Sequence, residues 1–122
     1  GERCLGVARE HMELRERLRP YIQEQMAAAA ERGTPPMRPL FLEFPDDARA
    51  WETDDEFLLG PDLLVAPVTE PGVTSRGVYL PAGADWVEIH SGRTFAGGAD
   101  YEADAPYEYI PVFRRDGAEI GV

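Results

Sequence analysis

The chain has 122 residues, a formal net charge of −11, 43% hydrophobic residues and 29% charged residues. This size and composition are typical of one soluble globular domain. The negative charge argues against nucleic acid and anionic membrane surfaces as partners. The single cysteine, Cys4, leaves no internal disulfide, and one cysteine with two distant histidines argues against a structural zinc site.

Targeting signals are absent from the sequence as given. No apolar run approaches the ~20 residues that a membrane span needs, and the first residues lack a basic stretch followed by an apolar one. We therefore expect a cytoplasmic protein.

The first long pattern predicts a helix over residues 8–32. Apolar or long side chains recur at steps of three and four, which places them on one helix face. These residues are Leu14, Leu18, Tyr21, Ile22, Gln25, Met26 and Ala29. Gly33 and Pro35 are typical of a helix end. Pro20 lies inside the pattern and removes one backbone donor, so it predicts a kink or a break.

The next segment predicts short elements. Leu40 to Phe44 is apolar and indicates a strand, which ends at a proline followed by Asp46 and Asp47. Either aspartate is suited to cap a short helix within Ala48 to Leu59. Its inward-facing residues would be Trp51 and Phe57. Helix, strand and short helix in this order indicate an α/β layer.

A second architecture begins at Leu63 to Val68, a short apolar run typical of a strand buried on both faces. From residue 72 onwards, short alternating or aromatic segments are separated by Gly, Pro, Asp and Ser. These segments are Ser75–Leu80, Asp85–His90, Arg93–Phe95, Tyr101–Glu102 and Tyr107–Phe113. Their spacing predicts an antiparallel sheet of the sandwich type.

Several short motifs keep a fixed order along nearly the whole chain. They are Leu18-Arg-Pro-Tyr21, Pro36-Met-Arg-Pro-Leu40, Phe44-Pro-Asp46, Phe57-Leu-Leu-Gly60, Leu63-Leu-Val-Ala-Pro-Val68, Arg76-Gly-Val-Tyr-Leu-Pro81 and Ile110-Pro-Val-Phe113. As a series they resemble the C-terminal end of the catalytic region of family 31 glycoside hydrolases, the α-glucosidases and α-xylosidases.

The resemblance implies an α+β fold in two parts. Residues 1–68 would supply the last helix, strand and short helix of a (β/α)₈ barrel, and residues 69–122 would begin the proximal C-terminal β-sandwich domain. It also implies a parent enzyme that hydrolyses terminal α-linked glucose or xylose with retention and without a cofactor. That parent enzyme, of which this chain would be one part, would bind the carbohydrate substrate.

The catalytic pair that the resemblance implies does not occur in this chain. A retaining glycosidase needs two carboxyl groups roughly 5–5.5 Å apart, and in this family both are aspartates on earlier barrel strands, the nucleophile in a Trp-x-Asp-Met motif. Trp51 and Trp86 are not followed by that motif, and no Asp-Met pair is present. We therefore assign no catalytic residue and no metal ligand.

Two residues are predicted to lie near the substrate, and both have simpler interpretations. Phe44 is the last residue of the predicted barrel strand and would flank a sugar, although core packing is the commoner role of such an aromatic. Asp46 would lie at the rim of the site, although a helix cap or turn is the interpretation we favour.

An alternative function remains open at this point. A small chain of this composition is also compatible with a non-catalytic module that binds carbohydrate or holds a partner. The open edges of a strand at Leu40 to Phe44, or the apolar helix face, further predict self-association of the isolated chain.

Overall fold

The computed structural model describes residues 2–68, 72–106 and 110–122. Its helices are α1 (Glu2–Arg32), α2 (Leu40–Glu43) and α3 (Ala48–Glu52). Its strands are β1 (Met37–Arg38), β2 (Phe57–Leu59), β3 (Leu63–Val65), β4 (Ser75–Leu80), β5 (Asp85–Glu88), β6 (Thr94–Ala96), β7 (Ala99–Asp104) and β8 (Val112–Arg115).

The described strands form two sheets, and neighbouring strands within each sheet are antiparallel. The larger sheet has six strands in the order β1-β2-β3-β8-β5-β6, and β4 pairs with β7 in a two-stranded sheet. Leu64 lies opposite Phe113 in the β3–β8 pair, which joins the N-terminal strands to the C-terminal ones. The predicted antiparallel sheet after residue 72 is therefore confirmed, except at residues 107–109, which lie outside the described part.

The six-stranded sheet has a hydrophobic cluster on each face, and alternate side chains of β2, β3 and β8 contribute to different clusters. Towards α2, α3 and the β4–β7 pair, Leu58, Leu64, Trp86 and Phe113 join one cluster. Towards α1, Leu63, Val65 and Val112 join a second cluster with Leu18 and Tyr21. All three residues of β3 are buried, as the continuous apolar run predicted.

Helix α1 is longer than predicted and is not broken. It continues through Pro20 to Arg32, and Gly33 ends it with a positive φ of 70° while its N–H donates to the Ala29 carbonyl at 3.0 Å. A break at Pro20 is therefore wrong, and a kink there stays a prediction. Among the described helices, none is long and apolar enough to cross a membrane.

The Tyr21 side chain fixes α1 to the turn between β2 and β3. Its hydroxyl donates to the Leu59 carbonyl at 2.5 Å and accepts from the Asp62 N–H at 3.1 Å. Gly60 lies directly beneath with a φ of +67°, and a Cβ there would overlap the Tyr21 hydroxyl and the Gln25 side chain. The close approach of helix and turn requires a glycine at this position.

The predicted strand at Leu40 to Phe44 is wrong, because Leu40–Glu43 is the single helical turn α2. Leu40 and Phe44 are buried whereas Leu42, midway between them, is 45% exposed, and a strand would have placed all three on one face. Pro39 precedes the turn in an extended conformation and separates it from β1. The open strand edges from which we predicted self-association therefore do not exist, and association through the α1 face stays a prediction.

The predicted helix at Ala48 to Leu59 is correct only in its first part. Helix α3 ends at Glu52, and Phe57–Leu59 is strand β2. Trp51 does not face inward, since 58% of its surface is exposed. The position of the domain boundary at residue 68 stays a prediction, although the six-stranded sheet includes strands from both sides of it.

Candidate functional site

The two residues predicted to lie near a substrate occupy different environments. Phe44 is 9% exposed, its ring centroid lies 5.8 Å from that of Trp86, and the Arg115 guanidinium carbon lies 4.9 Å from its centroid. Asp46 is exposed in the turn between α2 and α3. Phe44 is thus a core residue of this chain, and a sugar contact by either residue stays a prediction.

The exposed aromatic of this corner is Trp51 on α3. Its indole stacks on Phe41 of α2, with ring centroids 4.3 Å apart and an interplanar angle of 7°. The indole N–H donates to the Pro45 carbonyl at 2.8 Å, which brings the ring beside the turn that carries Asp46. The sequence pattern missed this surface because the helical period alone placed Trp51 towards the core.

Asp47 connects the α2–α3 corner to the β4–β7 pair. It caps α3 by accepting from the Arg49 N–H at 3.0 Å, as its residue type predicted. It also accepts from the Tyr79 hydroxyl at 2.5 Å and from the Ala82 N–H at 2.9 Å. Partial burial of the carboxyl raises its pKa, but the hydrogen bonds outweigh burial and the net pKa is lowered.

Arg49 adds a second connection at the surface. Its guanidinium donates to both carboxylate oxygens of Asp100 on β7, at 3.0 and 2.7 Å. The same guanidinium lies over the Tyr79 ring, with its carbon 4.6 Å from the ring centroid. Tyr79 and Asp100 are direct cross-strand partners, so Arg49 spans both strands of the pair.

Glu56 is a buried carboxyl on the same interface. It is 5% exposed, and its Oε1 accepts from the Tyr79 N–H at 2.5 Å. Arg76 is an ion-pair partner at 4.0 Å but also pairs with Asp55 at 3.0 Å, and the Glu56 Oε2 has no hydrogen-bond partner. Burial raises the pKa of Glu56 to about 7. The carboxyl therefore changes its charge near neutral pH.

A second buried ion pair joins Arg38 of β1 to Glu43 of α2, and the same arginine contacts Gln25 of α1. Arg38 is 4% exposed, and its guanidinium donates to Glu43, to the Pro35 carbonyl at 2.9 Å and to the Gln25 amide oxygen at 3.4 Å. These three partners accept from each of the three guanidinium nitrogens, and a buried guanidinium would be costly if left unpaired. Arg38 therefore has a structural role in this chain.

The structure brings together the two histidines, which are far apart in sequence. His11 on α1 and His90 after β5 line one shallow cavity with Glu10, Glu13 and Arg17. Burial lowers the pKa of His90. Among the residues that the structure describes, no group of three or more His, Cys, Asp or Glu side chains is placed to hold a metal ion.

The two buried carboxyls among the described residues, Glu56 and Glu88, accept hydrogen bonds from backbone N–H groups. Glu56 is bound to Tyr79 in the core, and Glu88 accepts from the His90 and Ser91 N–H groups of its own turn at 2.7 and 3.2 Å. Each carboxyl is therefore used to fix a turn or a strand. The α2–α3 corner, with exposed Trp51 and Asp46, is the best candidate for a ligand contact.

Comparison with known proteins places the chain beside carbohydrate-active enzymes. Residues 33–120 match the model of the glycosyl hydrolase family 31 C-terminal domain. Alpha-glucosidase 2 of Bacillus thermoamyloliquefaciens is 36% identical over 100% of this chain and 15% of its own length. Alpha-xylosidase of Saccharolobus solfataricus is 33% identical over 93% of this chain and 16% of its own length.

Solved structures agree with these matches. The crystal structure of a GH31 alpha-xylosidase from a soil metagenome, complexed with xylose, superposes with a TM-score of 0.92 and 49% identity. That match covers 94% of this chain and 17% of the alpha-xylosidase. The chain therefore spans only about one-sixth of the length of the relatives that it matches.

Proposed function

The chain belongs to glycosyl hydrolase family 31, and we propose that it is the C-terminal part of a retaining α-glycosidase that acts on terminal α-linked glucose or xylose. The observation that carries this proposal is the match of residues 33–120 to the family's C-terminal domain, together with relatives named as α-glucosidases and α-xylosidases. In this proposal, residues 1–68 close the catalytic barrel and residues 69–122 begin the β-sandwich.

The proposed fragment is catalytically incomplete by itself. Retention requires a nucleophile and an acid/base, two carboxyl groups roughly 5–5.5 Å apart. The buried carboxyls of the described chain, Glu56 and Glu88, are held in a core and in a turn. In barrel enzymes the active-site groups come from the ends of several strands, and one short segment cannot supply them all. The chain would support a site that other parts of the parent enzyme complete.

A chimera tests this proposal directly. The chain would replace the matched segment of the soil-metagenome α-xylosidase, with which it is 49% identical. We expect the isolated chain to hydrolyse nitrophenyl α-xyloside no faster than buffer, and the chimera to hydrolyse it measurably. The α-xylosidase with this segment deleted serves as the negative control.

Two results would contradict the proposal. Turnover by the isolated chain would mean that a carboxyl pair is present in it after all. A chimera that folds with the circular dichroism and melting behaviour of the α-xylosidase, yet has no activity, would mean that the chain cannot complete a family 31 enzyme.

A further inference from the structure

The two tryptophans of the chain have opposite environments. Trp86 is fully buried, with 0% exposure, whereas 58% of Trp51 is exposed. Tryptophan is highly buried on average because its large apolar surface is costly to leave in water. An indole this exposed, on a described surface that also carries Asp46 and Glu52, leaves a large aromatic face available to a ligand.

The exposed indole is also held in one orientation. Phe41 lies parallel beneath it at a centroid distance of 4.3 Å, and the Pro45 carbonyl accepts its N–H at 2.8 Å. Phe41 itself packs against the main core cluster. The stack covers one face of the indole and leaves the other to solvent. Because the ring is already ordered, a ligand that stacks on it loses little conformational entropy of the protein.

The charges near this ring favour a neutral ligand. Asp46, Glu52 and Asp54 are all exposed, and the nearest exposed cation in sequence, Arg49, is paired with Asp100. Carboxylates repel anionic ligands but accept hydrogen bonds from hydroxyl groups. A flat apolar ring with such acceptors close to it in the sequence suits a pyranose, which presents C–H groups on its face and hydroxyls at its rim.

We propose that the outward face of the Trp51 indole is a binding platform for one pyranose ring of a neutral α-linked oligosaccharide. The choice of an α-linked sugar rests on the proposed function, whereas the platform itself rests on the geometry of Phe41, Pro45 and Trp51. The other candidate occupant of this face is a polypeptide segment of the parent enzyme, which the absence of saturable sugar binding in the test below would favour.

Nuclear magnetic resonance on the ¹⁵N-labelled chain tests the platform, because each tryptophan gives its own indole N–H signal. On titration with maltotriose, the Trp51 signal should shift and saturate with a Kd on the order of 1 mM, as expected for contact with about one sugar ring. The Trp86 signal, from a fully buried side chain, serves as the internal control. Cellotriose, the β-linked counterpart, should bind more weakly than maltotriose, and equal binding of the two would overturn the choice of an α-linked sugar.

Variants of Trp51 test whether sugar binding requires its aromatic ring. Trp51→Leu still covers Phe41 but removes the aromatic face, and we expect it to weaken maltotriose binding at least tenfold, read from backbone amide shifts around α3. Trp51→Phe keeps an aromatic face and should bind within about threefold of the wild type. Met12→Leu changes a residue of α1 that is 68% exposed and should bind as the wild type does.

The proposal fails if maltotriose gives no saturable shift at Trp51 up to about 10 mM, or if Trp51→Leu binds as well as the wild type. Equal shifts at Trp51 and Trp86 would indicate a general effect of the sugar and would also overturn it. Failure here leaves the activity of the chimera unaffected. Binding by the chain combined with an inactive chimera would instead favour a non-catalytic carbohydrate-binding module.

Discussion

The two faces of the six-stranded sheet are closed by different means. On one face, α1 packs through Leu18 and Tyr21 onto Leu63, Val65 and Val112. The Tyr21 hydroxyl also forms two hydrogen bonds with backbone groups. On the other, the β4–β7 pair and the α2–α3 corner enclose a larger apolar cluster around fully buried Trp86. The second face also carries carboxyls whose charge depends on pH.

Because of this difference, the contribution of apolar burial to stability can be measured separately from the contribution of charged groups. The α1 face is held mainly by apolar area, by the Tyr21 hydrogen bonds to backbone groups and by the contact of Gln25 with the Arg38 guanidinium. The β4–β7 face adds Asp47 and Glu56, whose pKa values are shifted in opposite directions. Each face should therefore respond to a different kind of substitution, and the following predictions are ordered by the size of that response.

The largest effect should come from truncating neighbouring leucines of β3 that face opposite ways. Leu64 is 0% exposed in the larger cluster, and Leu63 is 2% exposed beneath α1. We expect Leu64→Ala to lower the free energy of unfolding by about 3–5 kcal/mol and Leu63→Ala by about 2–3 kcal/mol. The smaller loss is expected where a single helix can move into the cavity. Urea unfolding at pH 7 measures both.

The control for this pair is Met12→Ala on the exposed surface of α1, which should change the free energy of unfolding by less than about 0.5 kcal/mol. If Leu63→Ala costs as much as Leu64→Ala or more, the α1 face is as rigid as the other face. The contrast between the two faces would then be wrong.

The sequence predicted the parts of this fold that depend on local pattern. An apolar run at Leu63 to Val68 indicated burial on both faces, because neither side of a central strand can be polar. The α1 period and the glycine at its end were also sufficient to place that helix. These features are written in consecutive residues, so tertiary contacts were not needed to find them.

Features that depend on distant partners could not be predicted in this way. The run at Leu40 to Phe44 was too short to distinguish strand from helix, and packing against the core decided it. Asp47 was identified as a cap from its residue type, but its partner Tyr79 lies 32 residues away and follows no local rule. Trp51 faces solvent because Phe41 of another element occupies its inner face.

Glu56 should give the next largest effect, and only at high pH. Burial raises its pKa to about 7, from 4.5 in the unfolded chain, and the nearby charges of Asp55 and Asp100 add to the rise while Arg76 opposes it. A raised carboxyl pKa stabilises the fold fully below the unfolded pKa, and this stabilisation is lost as pH rises through the folded pKa. At pH 8 to 9, Glu56→Gln should therefore be more stable than the wild type by about 3 kcal/mol.

Thermal or urea unfolding across pH 4.5 to 9 measures this dependence. Glu24→Gln removes the same charge from the exposed surface of α1 and should keep the pH dependence of the wild type. If Glu56→Gln and the wild type lose stability in parallel above pH 6, Glu56 remains neutral or is better solvated than its 5% exposure indicates.

The smallest effect compares one tyrosine hydroxyl on each face. Tyr79→Phe removes the donor to the Asp47 carboxylate, and Tyr21→Phe removes the contacts with the Leu59 carbonyl and the Asp62 N–H. At pH 7 we expect Tyr79→Phe to cost about 2 kcal/mol, because its partner is charged, and Tyr21→Phe to cost about 1 kcal/mol.

The two costs should depend differently on pH. The pKa of Asp47 is lowered in the fold, so the contribution of Asp47 to stability is complete above its unfolded value of 3.8 and is lost as pH falls. The cost of Tyr79→Phe should therefore shrink below about pH 4, while the cost of Tyr21→Phe stays constant. Equal pH profiles for the two variants would show that the contribution of the Tyr79 hydroxyl to stability does not depend on the charge of Asp47. The two faces would then not differ in the electrostatics of these two hydroxyls.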